Sequence, residues 1–408
     1  MDLKLKFDKT VLKGEVNLSG SKSITNRILL INAIGDLNLN VQNSSTSEDS
    51  TLLFNALKLI QNTNQATLDI NHAGTAMRFL TAFLSVTKGE WILTGSDRMK
   101  QRPIKPLVDC LLELGADINY AGEEGFPPLK INGKQLAGGE VSIRSDISSQ
   151  FISALLLIAP KLTYGLTISI KGEGVSRPYI NMTLDLLRKF GILIEESNNQ
   201  LKVNQGIYQK TKDTFVIESD WSSASYYYEL AALSEDCDIQ LNYLNEISTQ
   251  SDSNIASIYD KLGVKTTFMA NGVRLTKKSL ELKKLNLDFT EFPDIAQTLA
   301  ATCVGLNIPF EFKGLQTLKL KETDRIEALK AELEKFGALL QSTDSTLVMT
   351  ACVNPIANLD IETYHDHRMA MCIAPLALKF EGICIINSEV VSKSYPEFWK
   401  DLERITKS

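Results

Sequence analysis

The chain has 408 residues, 44% of them hydrophobic and 23% charged, with a formal net charge of −6. This is the composition of a globular chain too long for one hydrophobic core, so two domains are expected. The negative balance excludes a general binder of nucleic acid or anionic membranes, so any anion site must be a local concentration of positive charge.

The N-terminal "MDLKLKFDKTVLKG" alternates as a strand does and lacks the apolar core of a signal peptide or an Arg-rich transit pattern. Next, "LSGSKSITNRILL" (18–30) passes from a Gly/Ser turn into an apolar helix, placing Lys22, Ser23 and Arg27 where a helix already presents unpaired N–H groups and positive potential. Three further basic turns feed apolar helices: "NHAGTAMRF" with Gly74 and Arg78, "GSDRMKQRPIKPLVD" with Arg102, and "YHDHRMAMCIAPLAL" with Asp366, His367 and Arg368. "SDISSQFISALLL" opens with Ser148, Ser149 and Gln150, and "LKLKETDRIEALKAELEKFG" puts Lys321, Glu322 and Arg325 at the start of a strong helical run with Thr323 or Asp324 as cap. Lys393 follows in the loop "VSKSYPEFW".

A repeat underlies these elements. "LVDCLLELGADINY", "TLDLLRKFGILIEE", "IASIYDKLGVKTTF" and "ALKAELEKFGALLQS" each read as an amphipathic helix, a glycine and a strand, with Gly115, Gly191, Gly263 and Gly337 about 75 residues apart. The glycines fit helix C-caps, and the period implies stacked α/β units in two similar halves meeting near residue 220. A fainter copy without the glycine, "TLLFNALKLIQNTNQATLDI", precedes them.

Any single basic turn is explained well enough by a solvated cap with surface ion pairs. Five of them are not, because bland surfaces do not repeatedly seat Arg where the dipole repels it. Other chemistries fail on spacing. Gly14, Gly20 and Lys22 miss the G-x-x-x-x-G-K-[ST] phosphate loop, and no strand is followed by G-x-G-x-x-G. His72, His365 and His367 form no H-E-x-x-H, and the six cysteines contain no CxxC pair and sit mostly in apolar runs, as in a reducing compartment. The longest apolar run, "FISALLLIAP", is too short to cross a bilayer, so a cytoplasmic protein is expected.

"GSKSITNR", "AGTAMR", "RMKQRP", "SSQF", "SRPY", "FPDIAQT", "KETDR", "DHRMAM" and "SKSYP" occur here in the order in which they occur in the 5-enolpyruvylshikimate-3-phosphate synthase family. From about Lys13 to the C-terminus the chain resembles that family. The resemblance implies a two-domain α/β fold of the enolpyruvyl-transferase kind, an inside-out α/β barrel, with three βαβαββ-type repeats per domain. Residues 20–219 would form one domain, and 1–19 with 220–408 the other, joined by a double crossover hinge. It also implies transfer of the enolpyruvyl group of phosphoenolpyruvate to the 5-hydroxyl of shikimate 3-phosphate, with no metal or organic cofactor, in a cytoplasmic monomer.

By motif position, Lys22, Ser23, Arg27, Ser148, Ser149, Gln150, Ser176, Tyr179, Asp294, Thr317 and Lys321 would hold shikimate 3-phosphate. Lys22, Gly74, Arg102, Gln150, Arg325, Arg368 and Lys393 would hold phosphoenolpyruvate. Asp294, Glu322 and Lys22 would carry the proton transfers. Each substrate brings a phosphate of roughly −1.5 to −2 and one carboxylate, a load that explains local basicity in an acidic chain. Because these residues come from both halves of the sequence, closure around shikimate 3-phosphate is expected.

Four features depart from the family pattern: His72 replaces an Asn, Phe79 replaces a Pro or small residue, Thr317 replaces an Asn, and the segment before His72 is shortened. A UDP-N-acetylglucosamine enolpyruvyl transferase would carry a loop Cys shortly before its "RP" pair, and "SDRMKQRP" has none. A non-catalytic binder of phosphorylated ligands would not need both Asp294 and Glu322 beside its cations.

Overall fold

The computed structural model describes residues 1–144, 149–172, 177–197, 199–354 and 359–407. The chain divides into two compact units, Gly20–Ile217 and Met1–Ser19 with Glu218–Ser408, so it leaves the second unit after residue 19 and returns to it at 218. Each has its own core of buried apolar side chains. The mixed α/β two-domain architecture is therefore the one the sequence implies.

Among the described residues, one motif builds four of the six sheets. In Gly20–Ile217, strand Gln65–Asp69 runs through helix Gly74–Ser85 to the parallel strand Gly89–Thr94. Helix Lys105–Glu113 follows, and strands Asp117–Tyr120 and Leu129–Gly133 close the sheet as an antiparallel hairpin. The same strand order, first-second-fourth-third, recurs in the sheets opened by Gly139–Arg144, Val11–Val16 and Leu285–Asp288. A helical crossover makes the first pair parallel, and a short turn makes the last pair antiparallel.

The four repeat glycines stand where the second helix of each motif turns into the hairpin. Gly115, Gly191, Gly263 and Gly337 have φ of +92°, +81°, +86° and +85°, a left-handed conformation that a Cβ disfavours. The fainter copy is not a fifth such motif. Helix Glu48–Asn62 ends at Thr63 with φ −150°, and the chain continues extended into Gln65–Asp69, the first strand of the next sheet. Without a left-handed residue the chain does not reverse, so no hairpin forms.

The third sheet of each unit is reduced. Asn40–Gln42 pairs in parallel with Thr214–Val216, and Leu359–Ile361 with Ile383–Ile385, the latter gaining Leu3–Lys4 as an antiparallel edge. Among the described residues each unit thus carries two four-stranded repeats of this type and a third reduced to a pair of parallel strands.

Several helices are buried almost throughout and lie inside their units. In Gly74–Ser85 every residue but Thr75 is buried, in Trp221–Leu233 every residue but Ser222, and in His367–Ile373 every residue but Arg368. Helices with no polar face have nowhere to go but the interior. Lys22–Gly35, Gly74–Ser85 and Ser149–Ile158 pack on one another in one unit, and Ala296–Gly305 packs on Trp221–Leu233 and His367–Ile373 in the other. In Gly74–Ser85, Ser149–Ile158, Trp221–Leu233 and His367–Ile373 the residues left unburied are confined to the first two positions, where Ser149, Gln150 and Arg368 lie.

Candidate active site

In the unit Gly20–Ile217, Lys22 and Ser23 open helix Lys22–Gly35 directly after Ser21, whose side chain makes no cap hydrogen bond. Lys22 Nζ lies 3.7 Å from Asp49 Oδ2, at the start of helix Glu48–Asn62. Gly74 opens its helix with the Arg102 guanidinium laid against it: a Cβ on Gly74 would sit 2.7 Å from Arg102 Nη1. Only a residue without a side chain permits that approach. Gln150 Nε2 donates to Thr75 Oγ1 at 3.3 Å, tying the start of helix Ser149–Ile158 to the start of helix Gly74–Ser85. The structure therefore brings Gly74, Arg102 and Gln150 together. Arg102 has no carboxylate within ion-pair distance among the described residues. Ser148 and Ser176 lie outside the described residues.

Arg27 is placed differently from its neighbours. Its guanidinium is 3% exposed and donates to Thr183 Oγ1 (2.7 Å), Ser23 O (2.8 Å), Ser153 Oγ (3.0 Å) and Tyr179 O (3.1 Å). It also stands over the Phe79 ring at 5.4 Å, and burial pulls it down to about 10. Arg27 is thus a strut joining the helices Lys22–Gly35, Ser149–Ile158 and Arg177–Lys189, and Phe79 is its floor. Arg78 plays a similar part by donating to Gly74 O and Pro103 O, both at 3.1 Å, which pins the Arg102 loop to its helix. His72 Nε2 lies 3.4 Å from Glu48 Oε2, and Asn71 Nδ2 donates to Glu48 Oε1 at 3.2 Å.

In the other unit, carboxylates and cations interlock. Arg325, 2% exposed, opens helix Arg325–Glu334 and donates from Nε to Asp366 Oδ2 at 2.6 Å and from Nη2 to Glu322 Oε2 at 2.8 Å. Its Nη1 reaches Asp294 Oδ1 at 3.3 Å. Lys393 Nζ donates to Glu322 Oε1 at 2.7 Å, Lys321 Nζ lies 3.6 Å from Asp294 Oδ1, and Arg368 Nη2 lies 3.3 Å from Asp294 Oδ2. Asp294, Lys321, Glu322, Arg325, Arg368 and Lys393 therefore form one connected cluster. Thr317 lies in the turn Gln316–Leu320, which packs on the turn Pro293–Ile295, and its Oγ1 is buried with no hydrogen-bond partner.

The electrostatics follow from this packing. Burial alone would raise Glu322, but the charges of Arg325 and Lys393 overcome it and hold the carboxyl well below its usual range. Burial likewise works against Arg325, and Asp366 and Glu322 more than restore its charge. Arg368 is held by the backbone of Asp294 as well, donating from Nη1 to Asp294 O at 3.0 Å.

Three participants escaped the sequence reading. Asp366 is legible as a helix cap, since it accepts from Arg368 N at 2.9 Å, but not as the buried anchor of Arg325, 41 residues away. Asp49 sits in an ordinary helix start. Asp252 carries no local signal at all. It accepts from Ser222 Oγ, and burial together with the charge of Asp294 pushes it up to about 7 against the pull of Arg368.

Two α/β units, each gathering cations and hydrogen-bond donors at helix N-termini, and one of them adding a cluster of carboxyl groups, define an enzyme for small anionic substrates. The family model for EPSP synthase (3-phosphoshikimate 1-carboxyvinyltransferase) matches residues 8–67 and 58–402, and the chain belongs to that family. It is 45% identical over 402 residues to the 3-phosphoshikimate 1-carboxyvinyltransferase of Bacteroides fragilis, covering 96% of this chain and 95% of that one. It is 38% identical over 419 residues to the Sulfurovum enzyme of the same name, covering 97% of both chains. The fold matches a solved EPSP synthase from Acinetobacter baumannii with a TM-score of 0.78 at 21% identity, over 99% of this chain and 97% of that one. Among the described residues no helix is long and apolar enough to cross a membrane.

Proposed function

We propose that this chain transfers the enolpyruvyl group of phosphoenolpyruvate to the 5-hydroxyl of shikimate 3-phosphate, releasing phosphate, and that it does so as a cytoplasmic monomer. The observation that carries the mechanistic reading is the single cluster in which Asp294 and Glu322 are held by Lys321, Arg325, Arg368 and Lys393. Residue roles follow from that geometry and from the family motifs.

Asp294 is the base for the 5-hydroxyl. Three cations within 3.6 Å fix the position of its carboxyl group, from which it can accept a proton. Glu322 is ionised in this arrangement because Arg325 and Lys393 face it. Phosphoenolpyruvate brings its own anions to those same two residues, and their charge would push Glu322 upward, towards a form able to give a proton to the enol carbon. Lys22 is the other proton donor in reach of this reading. Arg102 and Gly74 bind the anionic end of phosphoenolpyruvate. Ser23, Ser148, Ser149, Gln150, Ser176, Tyr179, Thr317 and Lys321 hold shikimate 3-phosphate, with Arg27 supporting them from beneath. The same cations stabilise charge as the tetrahedral adduct forms and collapses.

The test is phosphate release from phosphoenolpyruvate, with shikimate 3-phosphate and UDP-N-acetylglucosamine supplied separately. Release with the first alone is expected, and release only with the second would replace the proposal. Lys22→Met and Asp294→Asn should each lower turnover by about 10²–10⁴-fold, the range of a lost general acid or base, with circular dichroism unchanged.

A further inference from the structure

Two core helices of the Glu218–Ser408 unit leave only one residue each unburied, Ser222 in Trp221–Leu233 and Arg368 in His367–Ile373. Those two residues meet: Arg368 Nη2 donates to Ser222 Oγ at 3.3 Å. Ser222 Oγ in turn donates to Asp252 Oδ2. A guanidinium only donates, so the serine lone pairs face Arg368 and the serine proton is left for Asp252. The order of groups is then the carboxyl of Asp252, the Ser222 hydroxyl, the Arg368 guanidinium and the carboxyl of Asp294.

The turn carrying Asp252 is fixed to the same helix start. Trp221 N donates to Gln250 Oε1 at 3.2 Å, while Gln250 Nε2 donates to Glu218 Oε2 at 3.0 Å and Ser219 O at 2.8 Å. Asp252 itself is buried, and its Oδ1 has no hydrogen-bond partner. A half-satisfied buried carboxyl group costs stability, and a small apolar residue would fill the space at less cost. Packing therefore does not account for it.

We infer that Asp252 is a positioning residue for enolpyruvyl transfer, acting through Ser222 to hold the Arg368 guanidinium in register with Asp294. This rests on the reading of Arg368 as a phosphoenolpyruvate ligand. Arg368 binds through a planar fork, so a small rotation of it is felt in ligand affinity before it is felt in the fold.

The experiment measures kcat and both KM values for Asp252→Ala, Ser222→Ala, the double variant and Asp252→Asn. The KM for phosphoenolpyruvate should rise ~10-fold or more in each alanine variant, while that for shikimate 3-phosphate changes less than ~2-fold. The double variant should match the worse single one, since both act on one chain of contacts. Asp252→Asn keeps an oxygen that accepts from Ser222 and should restore most of the loss. Equal rises in both KM values, a fall in kcat and melting temperature with both KM values unchanged, or an Asp252→Asn variant as impaired as Asp252→Ala would overturn the inference. If Asp252→Ala does not fold, Ser222→Ala carries the same KM test. Wild-type protein that releases no phosphate with shikimate 3-phosphate removes the functional proposal itself; active wild type with an unsplit KM effect removes only the role of Asp252.

Discussion

In the Gly20–Ile217 unit, Arg102 lies against the start of a core helix with no carboxylate within ion-pair distance among the described residues, while Lys22 opens another such helix with Asp49 at 3.7 Å. In the other unit, the corresponding helix ends present Arg325 and Arg368 already engaged by Asp294, Glu322 and Asp366. The difference separates two jobs. A cation that anchors a ligand anion is most useful uncommitted, because the ligand then displaces only water. A group that moves protons needs a defined charge environment, and only neighbouring cations and carboxylates can set it. Interlocking also carries a structural debt: Arg325 and Asp366 are buried at 2% and 0% exposure, where neither tolerates the loss of the other.

Arg325→Ala should break this contrast most severely. It leaves the buried carboxyl group of Asp366 without its bidentate partner, a change that costs about 3–5 kcal/mol. Calorimetry should show a lower melting temperature, and turnover should fall with it. Arg102→Ala should move the melting temperature little, because Arg102 has no buried carboxylate to strand. Equal destabilisation by the two would erase the distinction between the units.

Gly74→Ala probes the uncommitted side more gently. The added Cβ would lie 2.7 Å from Arg102 Nη1, so the guanidinium must move by a few tenths of an ångström or more. The KM for phosphoenolpyruvate should rise ~10-fold while stability stays near wild type. An unchanged KM would mean that Arg102 does not bind from the position seen here.

The smallest effect concerns Glu229, on helix Trp221–Leu233, whose two carboxyl oxygens are buried without hydrogen-bond partners. Burial raises it well above the usual carboxyl range, so it is neutral when folded. The unfolded chain ionises this group above about pH 4.3, so its contribution to stability is complete below that value and is lost as pH rises towards the folded value. Glu229→Met should therefore stabilise the protein at pH 7.5 by roughly 1–3 kcal/mol, from unfolding midpoints, and the gain should shrink towards pH 4. A destabilised variant at pH 7.5 would show that Glu229 has a partner in solution. Core helix Lys22–Gly35 of the other unit carries no acidic residue and should show no comparable effect.

Much of this was legible in the chain. The four glycines mark real left-handed turns because only glycine enters that conformation cheaply, and a helix that is apolar on all sides must be interior. The motif order identifies the family and singles out Asp294, and local composition places Lys22, Gly74, Gln150, Arg325 and Arg368 at helix starts. These are properties of a few consecutive residues.

Tertiary structure alone decided which of those residues share a charge environment. Arg27 and Lys22 look alike in "GSKSITNR", yet one is a buried strut over Phe79 and the other pairs with Asp49. Arg325 finds Asp366 across 41 residues, and Ser222 finds Asp252 across 30. Side-chain direction and burial depend on how separate helices pack, and pKa depends on the charges that packing brings within a few ångströms. Periodicity fixes which face of a helix is apolar; it cannot say whose carboxylate waits at the end of it.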